Sequence, residues 1–108
     1  MLLITALGIA LMAEPNGELV CRYDPDRAGS QIVLRSDGSI RFVSEEVADK
    51  DAVMKADIFR HTNTNLYYRM VMVGRTDTFE VSLKTHRGTQ RLSHSDGTAE
   101  KVFRLVCE

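Results

Sequence analysis

Gln31-Ile32-Val33-Leu34-Arg35-Ser36-Asp37-Gly38-Ser39-Ile40-Arg41-Phe42-Val43 is the stretch on which the fold turns. Apolar residues fall at every second position on both sides of a Ser-Asp-Gly turn, the periodicity of a strand with one buried face. Ile32 and Leu34 must share that face with Ile40 and Phe42. This requires Leu34 opposite Ile40 and Ile32 opposite Phe42, which leaves a three-residue loop at 36–38 with Gly38 in the left-handed region. A two-residue loop at Asp37-Gly38 would set Leu34 against Arg41 and put the apolar faces out of register. The chain therefore begins as an antiparallel hairpin.

The same alternation extends outward. Leu19, Cys21 and Tyr23 form one side of an earlier strand, and Phe103, Leu105 and Cys107 one side of the last. Between Tyr23 and Gln31, the stretch Asp24-Pro25-Asp26-Arg27-Ala28-Gly29-Ser30 has turn composition. Its two aspartates lack the further acidic ligands of a calcium loop. Ser44-Glu45-Glu46 resembles a helix cap with acids in the first turn, and Val47, Asp51, Met54 and Ile58 fall on one helical stripe. One short helix is expected over 45–56, with a looped strand as the alternative. In 66–73, Leu66, Tyr68, Met70 and Met72 share a face, while Tyr67, Val71 and Val73 make the other partly apolar. Such a strand is central, covered, or lines a cavity. A turn at 74–77 would then pair Met72 with Phe79 and Met70 with Val81. A weak, short strand follows at 90–94, and after a second Ser-Asp-Gly at 95–97 the closing strand runs to Glu108. The total is about seven strands near ten-residue spacing. This predicts a mainly β domain, an antiparallel meander closed as a barrel or sandwich with one short helix.

The 108 residues suffice for one small domain, and a net charge of −1 gives no global pull toward nucleic acid or anionic lipid. The first half (1–57) holds 6 basic and 10 acidic side chains and the second 8 and 5, so acidic and basic patches are expected on different parts of the surface. Met1 to Ala13 is apolar, uncharged, too short to span a bilayer of about 30 Å, and followed by Glu-Pro-Asn-Gly. It reads as a secretory signal cut after Ala13, leaving a single domain at 14–108 without stable membrane insertion. A buried N-terminal element is the competing reading. Export would put Cys21 and Cys107 in an oxidising compartment, periplasmic or extracellular, where two cysteines pair. Two free buried thiols are the alternative.

Little in the chain suggests catalysis. There is no GxSxG elbow, no HxH or HxxxH spacing around His61, His86 or His94, and a bridged cysteine is no nucleophile. His86 and His94 both lie near turns and could meet at one end of a barrel, short of a metal set. The expectation is a non-enzymatic protein with no cofactor and no metal. The layout of apolar leader, early Cys21, β meander and near-terminal Cys107 resembles that of the periplasmic inhibitors of C-type lysozyme. The Ser/Gly-rich Lys-Tyr loop of those inhibitors has no counterpart here. Two functions follow: a protein-binding or inhibitor-like module whose partner is an envelope or extracellular protein, or a lipocalin-like barrel with Tyr68, Met70 and Met72 facing a small apolar ligand.

Overall fold

The computed structural model describes residues 17–44 and 52–108. Among these, nine antiparallel strands form one sheet and no helix occurs. The strands are β1 (Glu18–Tyr23), β2 (Gln31–Arg35), β3 (Ser39–Val43), β4 (Ala52–Lys55), β5 (Ile58–His61), β6 (Asn65–Met72), β7 (Arg75–Ser82), β8 (Arg87–His94) and β9 (Lys101–Cys107). Their order is β4-β3-β2-β1-β9-β8-β7-β6-β5. Every chain neighbour pairs except β4 and β5, and β1 also pairs with β9. The sheet is thus a meander whose two terminal strands meet in its middle and whose seam lies between β4 and β5: a half-barrel.

The β2–β3 hairpin is as the apolar phase requires. Leu34 faces Ile40 and Ile32 faces Phe42, with Gly38 at φ 88°. The Gly38 amide donates to the Arg35 carbonyl at 3.0 Å. Asp37 Oδ1 accepts from the Ser39 amide at 2.8 Å and the Ser39 hydroxyl at 2.6 Å. The second Ser-Asp-Gly uses the same chemistry: Asp96 Oδ1 accepts from the Thr98 amide and hydroxyl, and Gly97 has φ 85°. These donors hold both carboxyls below the usual aspartate range. A carboxylate with a depressed folded value adds stability that is in place above its unfolded value, about 3.9. That stability is lost as pH falls through the folded value. Asp37→Asn is therefore expected to make the unfolding midpoint less sensitive to acidification below about pH 4, as read by urea titrations at pH 3 and pH 6. Because Asp37 is exposed, the effect is small.

Three expectations are corrected. The helix over 45–56 is not formed where the structure describes it: 52–55 is β4, with Ile40 opposite Met54 and Phe42 opposite Ala52, while 45–51 lies outside the described residues. The two strands beyond seven are β4 and β5. Each has four residues, and the turn-forming Thr62-Asn63-Thr64-Asn65 that follows β5 hides it in the sequence. The turn between β6 and β7 is Val73-Gly74, not 74–77. Met72 lies opposite Arg75, Tyr68 opposite Phe79 and Met70 opposite Asp77. Both registers put the same side chains inside, so alternation could not separate them; the observed one gives two eight-residue strands and draws Asp77 into the sheet interior.

The inner face carries the core. Leu19, Cys21, Ile32, Leu34, Ile40, Leu66, Tyr68, Met70, Phe79, Val81, Leu105 and Cys107 are all buried, each contributing about 1.5–3 kcal/mol where a large aliphatic or aromatic side chain leaves water. Phe42 and Phe79 rings approach to 6.1 Å across the curl, joining its two halves. At one end the seam is held shut: the Ala56 amide donates to the Gly38 carbonyl, Asp57 to Arg69, and Asp57 Oδ2 accepts from the Val71 amide at 2.6 Å. The Tyr68 hydroxyl donates to the Arg35 carbonyl at 2.9 Å, so β6 is tied to β2 there. Burial first, then the Asp37 carboxylate, raise the Tyr68 phenol well above its ordinary value, which keeps it a donor. The opposite end, where the 24–30, 73–74 and 95–100 connections lie, is open among the described residues.

Candidate binding site at the open end

Cys21 and Cys107 sit directly opposite on β1 and β9. Val20 and Glu108 exchange both main-chain bonds. Cys21 and Cys107 therefore occupy the adjoining non-hydrogen-bonded position, where side chains come closest. Their Cα atoms are 3.9 Å apart and the sulfurs are bonded. The bridge lies inside the core, in the middle of the sheet rather than at a barrel edge.

At the open end β1 and β9 part company. Tyr23 faces Leu105, Asp24 makes one last amide bond to the Arg104 carbonyl, and a cis Asp24-Pro25 bond leads the chain away. The 24–30 connection then folds back over the mouth. Ala28 and Gly29 both take positive φ, and Asp26 accepts from the Gly29 amide through both oxygens at 3.3 Å. This turn places the Arg27 guanidinium 4.1 Å from the Phe103 ring centre and 5.0 Å from that of Tyr23. The two rings meet edge to face at 6.0 Å. Cation–π stacking of this kind contributes about 0.5–2 kcal/mol and uses the flat face of the guanidinium.

Beneath this layer is a buried polar set. The Tyr23 hydroxyl donates to Gln90 Oε1 at 2.5 Å. Asp77, with no exposed surface, accepts from Arg75 Nε at 2.7 Å and Nη2 at 3.0 Å. Burial is the largest influence on the Tyr23 phenol and raises it; Arg27 pulls it down and Asp77 pushes it up. Losing Arg75 would leave a buried charge without its partner. Arg75→Met is expected to cost about 2–3 kcal/mol, below the full figure for a buried pair because Arg75 is half in solvent. Adding Asp77→Asn should recover part of that loss. Urea unfolding of the two single variants and the double variant checks this; simple additivity would refute the pairing.

Arg27 forms the wall between two clefts. One, of about 430 Å³, is bounded by Tyr23, Ala28, Ser30, Gln31, Phe42 and Val43. The other, of about 460 Å³, is bounded by Asp24, Pro25, Val102, Phe103 and Arg104, with Tyr23 again at its back. A third, smaller cleft shares Asp24 and Arg104 and adds Arg87.

The residues singled out from sequence as ligand-facing lie elsewhere. Tyr68 and Met70 are in the filled interior, Tyr68 against Phe59 at 4.9 Å between ring centres. Met72 is half-buried at the end of β6. None of the three lines the clefts just described. His86 and His94 do not meet: one precedes β8 and the other ends it, at opposite ends of an eight-residue strand. Among the described residues no three histidine, cysteine or acidic side chains are gathered as a metal site would need. Arg27 was missed because its loop reads only as a turn. Its one sequence signal is a lone arginine between Asp-Pro-Asp and Ala-Gly-Ser, with Tyr23 nearby.

Compared with protein families, curated proteins and solved structures, the chain matches none.

Proposed function

We propose that this chain is an exported binding domain: a periplasmic or secreted half-barrel, stapled by Cys21–Cys107, that engages an envelope or extracellular protein through its open end and does no chemistry of its own. The bridge supports the location, because such bonds persist in oxidising compartments. The observation that carries the reading is Arg27, held over Tyr23 and Phe103 between two clefts at the mouth. Arginine and aromatic side chains in a concave, partly apolar setting are the usual anchors of protein recognition. The small-ligand reading is less favoured because Tyr68 and Met70 have essentially no accessible surface, so no water-sized space adjoins them.

The full chain, expressed with its own N-terminus, tests this. It is expected in the envelope or medium, starting after Ala13 and without free thiols, and to capture one protein stoichiometrically from envelope extract. Material kept in the cytoplasm with Met1 and two titratable thiols would contradict it.

A further inference from the structure

Resting on the binding-domain reading, we propose that the cleft beside Arg27 docks an extended acidic segment of the protein partner, with a carboxylate on Arg27 and the segment's backbone along the free edge of β9.

Charge is the first argument. Arg22, Arg35, Arg75 and Arg91 each have a carboxylate within 3.2 Å. Arg27 has none among the described residues; it lies over the Phe103 and Tyr23 rings and beside the Tyr23 hydroxyl. Arg104 on the same cleft spends its Nε on the Asp24 carbonyl at 3.4 Å, and Arg87 lies just beyond. Against these three guanidinium groups the adjoining clefts hold one carboxylate among the described residues, Asp24. The excess is positive on a chain whose net charge is −1. Stacking fixes the Arg27 plane and leaves N–H donors at its rim, the geometry that takes a carboxylate through two parallel bonds.

Unpaired backbone on β9 points the same way. β9 runs from Lys101, but its pairing with β1 stops at Tyr23 opposite Leu105. On that side 101–103 has no strand beside it among the described residues, while β8 covers the other side as far as Lys101. Successive strand residues point to opposite faces. A cleft that touches Val102, Phe103 and Arg104 in turn therefore meets the strand's edge. Val102 is also among the few large apolar side chains left exposed. A short extended segment can add to such an edge, with main-chain bonds giving affinity and the side-chain pocket giving selectivity. The acidic residue would sit in the Arg27 pocket, and an apolar neighbour on Phe103.

The test is amide NMR on the oxidised protein, titrated with a short blocked peptide alternating glutamate and valine, with the same peptide carrying glutamine for glutamate, and with succinate. The glutamate peptide is expected to shift the amides of Val102 to Arg104 and of Arg27. Glutamine replacement should weaken it roughly tenfold or more, the loss of a charge-assisted pair, and so should Arg27→Gln. Raising salt should also weaken it. Equal binding of the two peptides would overturn the proposal without needing a variant. So would succinate binding as tightly as the peptide with no shift at Val102 to Arg104, which would mark a small-carboxylate site. Capture of an envelope protein that neither the glutamate peptide nor Arg27→Gln disturbs would leave the binding-domain reading standing and overturn this one.

Discussion

Replacing Cys21 and Cys107 together by alanine is expected to lower the thermal midpoint by roughly 10–30 °C. The bridge spans 86 residues, so in the reduced chain the denatured ensemble regains the entropy of a loop that closes nearly the whole described domain. On the chain-entropy account this is about 4–5 kcal/mol, with measured values for native bridges in small domains of about 2–5 kcal/mol. The bridge also joins β1 to β9, where Cys21 to Tyr23 lie opposite Cys107 to Leu105. All other ladders are between chain neighbours and close through short connections, so this is the costliest one to close. Reduction of the wild-type chain should reproduce most of the shift, which calorimetry with and without reductant would show. A shift of only a few degrees would mean that β1 and β9 associate strongly without the bond.

The second large effect is at Gly88, where any side chain meets backbone. A Cβ there would collide with the Glu80 carbonyl oxygen and lie 2.8 Å from the Val81 Cα. Gly88 faces Val81 on β7 and Leu105 on β9, in the centre of the sheet. Neither neighbour can withdraw without breaking its own ladder. Gly88→Ala is expected to cost about 3 kcal/mol or more, at the upper end of overpacking penalties. Gly97→Ala serves as the comparison. Its Cβ would meet nothing within 4 Å, so only the φ of 85° resists it, at about 1–2 kcal/mol. Urea midpoints of the two variants should fall clearly in that order. Equal midpoints would show that β8 is not gripped between β7 and β9.

How much of this was legible in the sequence depended on which physical signal each part leaves. Side-chain alternation leaves a strong one, so the inward faces of β1, β2, β3, β6, β7 and β9 could be read directly, and the 36–38 hairpin followed to the residue. The cysteine pairing followed from two apolar-faced strands together with the expectation of export, and the bond is present. Register between long strands leaves less. A slide that preserves alternation costs nothing in pattern, and so Asp77 was placed in a turn when it lies buried against Arg75. Four-residue strands leave almost none: with one inward residue each, Met54 in β4 and Phe59 in β5, there is no period to detect.

The position of the seam has a topological reason. A bond between the first and last strands does join two edges, but it makes them the sheet's centre and passes the open edge to wherever the meander fails to pair. Here that is between β4 and β5, whose seam is held at one end by the Ala56 and Asp57 amides bonding outward to Gly38 and Arg69. The candidate site was the least legible part, since Arg27 gains meaning only when β1 and β9 bring Tyr23 and Phe103 under it. No spacing along the chain announces a contact between residues some eighty positions apart.

The account stands on the chain's two ends being neighbours in mid-sheet, with the opening in the middle of the chain. A nuclear Overhauser spectrum of the oxidised protein tests this directly. It should show a strong Hα–Hα cross-peak between Cys21 and Cys107, whose Cα atoms are 3.9 Å apart, and a second between Tyr23 and Leu105, with none between β4 and β5. Cross-peaks running along β4 and β5 as a paired hairpin, with Cys21 and Cys107 silent toward each other, would contradict it.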